Sequence, residues 1–502
     1  MKRRDFLLGG AAALAAPVPR ETIAADPQRP QYHLVAPAHR INDPNGPIYH
    51  RGKYHIFYQK ACPDGKHWGH AASTDMLHWR HLPDAIAPTR GGPDSVSCAS
   101  GGCVIHDGTP TIVYTGFRPE AQCIATSDDE MVTWHKYPGN PVLRPPPGMA
   151  VIPKSSSAAP ETFPEGATGI TGFRDPRLWQ ENGSWYMIVG SGFPDRGGAA
   201  LLFRSNDLLH WDYLHPLCIG FRDPVAWGPR PHNIGEVWEC PDFFPLGGKH
   251  VLIVSTMLRT LYFTGRYEDH RFYPEVGGCC DFGPYYAAQS QLNARGERIL
   301  WGWIRETRSV AAQTRAGWGS AISLPRVLSL APNGTLRYTL PGELESLRGQ
   351  LFTDLEKVRG DCLEIRAEVD PAGAVDCGLA VRCSPNAEQT RILYRPGDRV
   401  LSIDLSRSTV TQDPGRPSVP SDADPWLHAP LHLGAAERLE LRILLDASVM
   451  EVFANGKTCI TARVYASRPD SLGVQFLSGG KAKLVRAEAW RMQPISRDRL
   501  TT

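Results

Sequence analysis

Short stretches of apolar and aromatic residues, each preceded by a polar turn, recur along the first two-thirds of the chain. The stretches span residues 54–59, 111–116, 185–190, 250–256 and 298–304. Each is six or seven residues long and rich in β-branched or aromatic side chains, as is typical of short strands. The pattern predicts five equivalent strands, one in each copy of a repeated unit.

A second polar signal follows three of these strands. Ser73, Ser127 and Ser205 each begin a Ser-x-Asp turn, and a tryptophan follows six or seven residues after the serine. Such a turn is expected in the outer hairpin of a small sheet. Small sheets repeated at this spacing bury their faces only against one another, which predicts a β-propeller with five blades. A single large sandwich would not require the same pattern to return five times.

The pattern changes beyond residue 340. Residues 341–358 indicate a short helical or irregular connector, and alternating strands such as 363–369 and 439–445 follow it. Period-two alternation with frequent turns predicts a β-sandwich over residues 359–495. The predicted fold is therefore all-β, with a five-bladed β-propeller over residues 30–340 followed by a C-terminal β-sandwich.

The first residues are typical of an export signal. Arg3 and Arg4 precede a weakly apolar stretch that is too short for a permanent membrane anchor. Residues 1–25 are therefore predicted to be a twin-arginine signal that directs the protein to the periplasm or the extracellular space. Cleavage after Ala16 and cleavage near Ala24 both fit the sequence.

Charge and composition narrow the range of partners. The formal net charge is only +2 and there is no basic tract, so neither nucleic acid nor an anionic membrane surface is expected as a partner. Plentiful tryptophan and tyrosine suit an aromatic-lined sugar site. The twelve cysteines include no Cys-x-x-Cys pair, and the sequence does not determine a disulfide pattern. His67 and His70 have no further ligands nearby in sequence, so neither a metal site nor a cofactor is predicted.

Three carboxylates share one position relative to the repeated strands. Asp43, Asp175 and Glu239 precede the first, third and fourth strands by about the same distance, and Ser100 does so for the second. Equivalent positions at the start of the innermost propeller strands meet around the central axis. A turn alone does not require acidic residues at this position, so we expect the three carboxylates to converge on one pocket.

A duplicated motif offers a second candidate for one of these carboxylates. The sequence GFRDP occurs at residues 172–176 and again at 220–224. Asp175 is followed at the correct spacing by a predicted strand, whereas Asp223 is followed by a proline-rich stretch without one. The role is therefore assigned to Asp175, and Asp223 is interpreted as a loop residue.

Three motifs in order carry a family resemblance. Residues 42–46 (NDPNG), 173–176 (FRDP) and 238–242 (WECPD) resemble the catalytic blocks of glycoside hydrolase family 32, the invertases, levanases and inulinases. The segments 68–71, 281–287, 301–303, 323–326 and 446–465 are also similar to family blocks. The resemblance spans nearly all of the chain after the signal. It implies a retaining β-fructofuranosidase that acts on sucrose or on the ends of fructans such as levan and inulin.

The resemblance also implies roles for individual residues. Asp43 would be the nucleophile, and Glu239 would be the acid and base, with a pKa above that of its partner and a carboxyl separation of about 5 Å. Asp175 would hold ring hydroxyls and stabilise the oxocarbenium-like transition state, and Arg174 is expected to keep Asp175 ionised. The residues implied to shape the fructosyl pocket are Asn42, Gln59, Trp68, Ser100 and Arg174.

Purely structural roles also fit three of the residues that are implied to shape the pocket. Gln59 could satisfy backbone groups at the end of a strand, Trp68 could be a packing residue, and Arg174 could be a structural ion-pair partner. The chain also differs from the family pattern beside these residues. Arg40 and Ile41 stand where the family usually has an aromatic residue and a methionine before Asn-Asp-Pro, and Ala99 stands where an aromatic residue commonly precedes Ser100. The loop between Gln59 and Trp68 is shorter than usual and lacks an additional tryptophan.

Two other functions fit parts of the sequence. An inverting propeller glycosidase acting on arabinan or xylan would need carboxyl groups far enough apart for a water molecule. A fructan-binding protein without catalysis would release no fructose from any substrate. The block at residues 238–242 and the three intact carboxylates favour the retaining β-fructofuranosidase over both alternatives.

Overall fold

The computed structural model describes residues 18–117, 119–152, 168–220, 235–410 and 425–500. Residues 1–17 of the predicted export signal, and the loop residue Asp223, lie outside these ranges. The described ranges contain two short α-helices, α1 (Arg20–Ala25) and α2 (Val310–Ala316). Neither is long and apolar enough to span a bilayer.

Five antiparallel sheets follow one another along the first 340 residues. The first contains β1 (His39–His50), β2 (Lys53–Cys62), β3 (Gly65–Ser73) and β4 (Arg80–Ile86), and the second contains β5 (Ser97–His106), β6 (Thr109–Phe117), β7 (Ala121–Thr126) and β8 (His135–Lys136). A separate parallel pair, β9 (Met149–Val151) and β10 (Thr168–Ile170), precedes the third sheet.

The remaining three sheets repeat the arrangement. The third contains β11 (Arg174–Glu181), β12 (Ser184–Phe193), β13 (Gly197–Ser205) and β14 (Asp212–Ile219), and the fourth contains β15 (Glu239–Leu246), β16 (Lys249–Ser255), β17 (Thr260–Glu268) and β18 (Arg271–Cys279). The fifth contains β19 (Tyr285–Leu292), β20 (Arg298–Ile304), β22 (Ala321–Ile322), β23 (Arg326–Leu330) and β24 (Leu336–Thr339). The short strand β21 (Trp318–Gly319) pairs in parallel with β1.

The first strands of the five sheets surround a common axis. Strand β1 contacts β5 and β19, β11 contacts β5 and β15, and β15 contacts β19, so these strands form a closed ring. The five apolar stretches singled out in the sequence are the second strands β2, β6, β12, β16 and β20. The prediction of a five-bladed propeller is therefore confirmed.

Every innermost strand has a register irregularity near its start. The irregularities lie between residues 41 and 44, 98 and 101, 174 and 177, 239 and 242, and 286 and 289. Asp175 and Cys240 have φ angles of 64° and 45°, which residues other than glycine rarely adopt. A bulge of this kind redirects side chains out of the regular strand alternation. In each blade it does so at the central end of the innermost strand.

The repeated Ser-x-Asp turns join the third and fourth strands of the first three blades. In each turn the serine hydroxyl donates to the aspartate carboxylate: Ser73 to Asp75 at 2.9 Å, Ser127 to Asp129 at 3.0 Å, and Ser205 to Asp207 at 3.1 Å. The aspartates also accept backbone N–H groups further along the turn. The predicted outer hairpins are thus built by side chains that replace backbone partners.

Two further sheets form the C-terminal sandwich. One contains β25 (Arg348–Phe352), β26 (Cys362–Asp370), β31 (Leu439–Asp446), β32 (Val449–Ala454), β33 (Thr458–Arg463) and β35 (Lys483–Met492), and the other contains β27 (Ala374–Cys383), β28 (Thr390–Arg395), β29 (Val400–Asp404), β30 (Trp426–Pro430) and β34 (Gly473–Gly480). The predicted connector contains the 3₁₀ helices Gly342–Leu347 and Leu355–Lys357 on either side of β25. Because β25 pairs with β35, this strand belongs to the sandwich.

A buried charged network joins the two domains. Arg326 of the propeller lies 2.9 Å from the Asp281 carboxylate and 2.5 Å from that of Glu451 in the sandwich, and all three side chains are fully buried. His33 contacts Asp446 at 2.8 Å and Glu451 at 3.1 Å. Burial opposes a charge on His33, but the hydrogen bonds that its ring donates to the two carboxylates raise its pKa to about 9. Each buried charge in the network is stabilised by a neighbouring group of opposite charge.

The cysteines and the N-terminal helix complete the described structure. All twelve cysteines are unpaired, and eleven of them are buried. Helix α1 packs against the strand that closes the first blade: Ile23 is 2% exposed, and the Asp26 carboxylate accepts the indole N–H of Trp318 at 2.7 Å. The residues that follow the apolar N-terminal stretch therefore form part of the folded propeller.

Candidate active site

Asp43 lies at the bulge of β1, and one of its carboxylate oxygens is held by two neighbouring strands. Oδ2 accepts the hydroxyl of Ser100 on β5 at 2.7 Å and Nε2 of Gln59 on β2 at 3.2 Å. Lys66 Nζ donates to Gln59 Oε1 at 2.5 Å; because an ammonium group only donates, this contact fixes which end of the amide faces Asp43. Oδ1 of Asp43 accepts no hydrogen bond from the described residues and is left for attack.

Asp175 and Asp43 meet at the residue that follows Glu239. The Cys240 amide donates to Asp175 Oδ2 at 2.9 Å. The thiol of the same cysteine lies 3.6 Å from Asp175 Oδ2 and 3.7 Å from Asp43 Oδ2. The amide of Asp175 donates to the hydroxyl of Thr115 at 2.8 Å, which anchors its bulge to the second blade. Three blades therefore bring these carboxylates together at the axis.

Glu239 is held through both carboxylate oxygens. Oε1 accepts Nη2 of Arg174 at 2.5 Å and Nε at 3.1 Å, and Oε2 accepts the hydroxyl of Tyr286 at 2.6 Å. The remaining arm of Arg174, Nη1, donates to Glu120 at 3.0 Å. Charge-assisted bonds of this kind fix the plane of a carboxylate. Arg174 thus acts as a clamp between Glu239 and Glu120.

Arg174 lowers the pKa of Asp175, the direction that was predicted, but its charge does not outweigh the effect of burial. The Arg174 guanidinium forms its ion pairs with Glu239 and Glu120 rather than with Asp175. Complete burial raises the pKa of Asp175; the Arg174 charge opposes this shift, while the negative charges of Glu239 and Asp43 add to it. The resulting pKa is about 7, so Asp175 titrates near neutral pH.

The other two predicted pocket residues lie at different depths. Asn42 is partly exposed beside Asp43 at the bulge of β1. Trp68 is fully buried, packs against Phe57 with ring centroids 5.8 Å apart, and donates its indole N–H to the Ala99 carbonyl at 2.8 Å. Trp68 therefore supports the backbone of β5 next to Ser100.

Several residues of the site escaped the sequence reasoning. Tyr286 lies within the family-like segment 281–287, but nothing in that segment indicates a role for it, and Glu120 has no motif around it. Arg305 places its guanidinium carbon 4.1 Å from the centroid of the Tyr286 ring and 5.3 Å from that of Trp303. Burial lowers the pKa of Arg305, while Tyr286, Asp43 and Glu239 act in the opposite direction. The proximity of an arginine to a carboxylate-rich axis could not be inferred from spacing.

A propeller with several carboxyl groups converging at its axis, one clamped by arginine and tyrosine, defines a glycoside hydrolase of the two-carboxylate class. Models of the glycosyl hydrolases family 32 N-terminal domain and C-terminal domain match residues 33–339 and 341–491. The chain belongs to glycoside hydrolase family 32, as the sequence resemblance predicted.

Relatives and solved structures extend along nearly the whole chain. It is 32% identical to the insoluble isoenzyme 1 of β-fructofuranosidase from Oryza sativa subsp. japonica, over 93% of this chain and 90% of the relative. It is 30% identical to sucrose-6-phosphate hydrolase from Escherichia coli, over 92% and 94%. The crystal structure of fructan 1-exohydrolase IIa from Cichorium intybus superposes with a TM-score of 0.78 at 28% identity, covering 93% of this chain and 98% of that one.

Proposed function

We propose that this glycoside hydrolase releases terminal β-D-fructosyl units from sucrose or fructans, with retention of configuration, through a covalent fructosyl-enzyme. The observation that carries the proposal is the convergence of Asp43 and Asp175 on Cys240, directly beside Glu239. Two similar structures support the substrate class: a variant of the Cichorium intybus exohydrolase in complex with 1-kestose, and a Bombyx mori β-fructofuranosidase mutant in complex with sucrose.

Asp43 is the proposed nucleophile. Since Ser100 and Gln59 hold Oδ2, Oδ1 attacks the anomeric carbon of the fructosyl unit, and the bond from that carbon to the glycosidic oxygen breaks. Glu239 gives its proton to the departing oxygen, so the leaving group departs as a neutral alcohol. Asp43 is then an ester, and Glu239 is ionised.

Water completes the reaction from the same face. Glu239 accepts a proton from the water as its oxygen attacks the anomeric carbon, and the carboxylate of Asp43 leaves. In its ionised form, above its pKa of about 7, Asp175 supplies negative charge to the oxocarbenium-like transition state in both steps. Because Asp43, Asp175 and Glu239 are like-charged neighbours, repulsion favours one retained proton within this group, which the acid step requires.

The proposal is tested with an Asp43→Ala variant and a substrate panel of sucrose, levan, inulin, arabinan and xylan. We expect fructose release by the wild-type protein from one or more of the first three, and a loss of at least about 10³-fold in the variant. Asp107→Ala is the matched control, because the side chain of Asp107 is 92% exposed in an outer turn.

Product analysis separates the alternatives. Transfer to methanol that yields the methyl β-fructoside indicates retention, whereas an inverted product would indicate the single-displacement reaction. Release of sugar only from arabinan or xylan, or binding of fructan without release of fructose, would contradict the proposed function. So would full activity of Asp43→Ala.

We also propose that the protein is exported by the twin-arginine route to the periplasm or the extracellular space. Arg3 and Arg4 and the short apolar stretch after them support this route. Replacing both arginines with lysine should retain the folded, active enzyme inside the cell, while replacing Lys2 with arginine should leave export unchanged. Equal export of all three proteins would contradict the route.

A further inference from the structure

The hairpin of β2 and β3 has two chemically different faces. Gln59, which contacts Asp43, and Lys66 lie on the face turned toward the active site. Strand side chains alternate, so Lys60 and Cys62 lie on the opposite face, and His67 joins them because it pairs directly with Lys60. Behind the catalytic face of this hairpin there is therefore a second group of polar side chains.

Three of the side chains there can supply ligands to one cation. The Cys62 sulfur, a ring nitrogen of His67 and a carboxylate oxygen of Asp84 on β4 lie within 4.8 Å of one another. Ligand atoms around a tetrahedral zinc ion are about 3 to 4 Å apart, given its usual bond lengths. The His67 Nδ1 and Asp84 Oδ2 atoms, 3.0 Å apart, already have this spacing.

The hydrogen bonding of His67 leaves one position for a cation. Its Nδ1 lies 3.0 Å from Asp84 Oδ2, and its Nε2 lies 2.8 Å from Asp64 Oδ1. A neutral imidazole has a single N–H, yet both ring nitrogens face carboxylate oxygens. One of the two contacts is therefore attractive only when a second ring proton or a bound metal cation lies in it.

We propose that Cys62, His67 and Asp84 bind a divalent transition-metal ion of the zinc class, with solvent as a further ligand. A sulfur, an imidazole nitrogen and a carboxylate oxygen are the ligand types that such ions select. Binding replaces the thiol proton of Cys62, which leaves to solvent as the thiolate–metal bond forms.

The neighbouring groups provide the outer contacts that such a site needs. With Nδ1 on the metal, the Nε2–H of His67 donates to Asp64, the carboxylate–histidine–metal arrangement that fixes the ring orientation. Lys60 Nζ donates to Asp84 Oδ1 at 2.5 Å, which leaves Oδ2 directed toward His67 and the metal position. The metal would stiffen the hairpin from behind while Gln59 meets Asp43 in front.

Cobalt titration of the purified, chelator-treated full-length protein tests the site. We expect one equivalent of Co²⁺ to produce a thiolate-to-cobalt charge-transfer band, and Zn²⁺ to displace it. Cys62→Ser and His67→Gln should each abolish the band. His78→Gln is the matched control, because His78 forms a similar contact with Asp75 at 2.7 Å on the surface, and it should leave the titration unchanged.

A variant that keeps all three ligands tests the site without the risk that removal of a ligand unfolds the protein. Asp64→Asn keeps all three metal-binding atoms and should weaken Co²⁺ binding by about tenfold or more through the lost support of His67. Circular dichroism and thermal unfolding identify any variant that has lost its fold. Absence of the charge-transfer band in the wild-type protein, or an unchanged band in folded Cys62→Ser and His67→Gln, would overturn the proposal.

Discussion

The hydroxyl of Tyr286 donates to Oε2 of Glu239 across 2.6 Å, and the amide of Met257 donates to the same hydroxyl at 2.6 Å. Met257 has a φ of 67°, so the loop before β17 adopts a left-handed conformation where it makes this contact. The tyrosine hydroxyl thus connects the backbone of the fourth blade to the proposed acid. Its orientation is fixed by one donor and one acceptor.

Tyr286→Phe removes this connection without changing the ring. We expect kcat to fall by about 10- to 100-fold, since a hydrogen bond to a charged group contributes about 1.5–3 kcal/mol. Steady-state kinetics over a range of pH measure the effect. Tyr273→Phe, at a residue that is 43% exposed, is the control. Equal rates for the two variants would show that the hydrogen bond from Tyr286 to Glu239 does not contribute to catalysis.

Arg305 supports the same tyrosine through its ring. Arg305→Met removes a cation 4.1 Å from the ring centroid, and a partly buried cation–π contact contributes about 0.5–2 kcal/mol. We expect kcat/KM to fall by about 2- to 30-fold, with partial recovery in Arg305→Lys. Arg266→Met removes a surface contact with Tyr273 at 5.4 Å and should leave kinetics unchanged. An Arg305→Met enzyme as active as this control would contradict the prediction.

The raised pKa of Asp175, about 7, makes unfolding dependent on pH. The folded protein holds a proton that the unfolded chain, with a pKa near 3.9, releases earlier. Stability from this group is therefore complete below about pH 4 and is lost as pH rises toward 7. Asp175→Asn should remove this loss and raise Tm at pH 8 by about 2 °C or more, while activity falls.

The comparison of Tm at pH 5 and pH 8 checks this prediction. Asp107→Asn, at an exposed turn, should leave the difference between the two temperatures as it is in the wild type. If Asp175→Asn also left it unchanged, the dependence of Tm on pH would not come from Asp175.

Arg326→Met separates two carboxylates from their shared cation. Asp281 and Glu451 would remain fully buried without it, and breaking a buried pair costs about 3–5 kcal/mol. Denaturant unfolding measures the loss. Arg295→Met, at a surface arginine that is 55% exposed, should cost less than about 1 kcal/mol. Similar losses in the two variants would contradict the importance assigned to the network.

The packing of α1 selects between the two cleavage positions. Cleavage after Ala16 keeps the helix, whereas cleavage near Ala24 removes Ile23 from the surface of Trp318. We therefore expect the intact mass of the exported protein to correspond to a first residue of 17 or 18. A chain that begins at or after residue 25 and retains full stability would contradict this expectation.

Strand repetition was predictable because it depends on local chemistry. The Ser-x-Asp turns and the apolar second strands follow from residue type and spacing, and three carboxylates at one position followed from the blade repeat. The ion-pair partner of Arg174 could not be predicted in this way, because the bulge at Asp175 sets the directions of the Arg174 and Asp175 side chains. Strand propensity carries no information on such a bulge.

Contacts between residues that are far apart in the chain could not be predicted from the sequence either. Glu120 comes from the loop before β7 and meets Arg174, 54 residues further along the chain. Asp84 on β4 likewise reaches His67 on β3, which lies 17 residues earlier in the chain. Both contacts depend on how the strands are staggered, which residue spacing along the chain does not show.

The start of the described chain is tied to its far end. The amides of Tyr32 and His33 donate to Asp446, and Arg29 exchanges hydrogen bonds with the backbone of Arg499 and its side chain. A growing polypeptide has not yet made those partners when its first residues leave the ribosome. This region can therefore complete its folding only after Asp446 and Arg499 have been synthesised. An export route that accepts finished molecules suits that order of events, and one that threads an unfolded chain during synthesis would have to assemble this region on the far side.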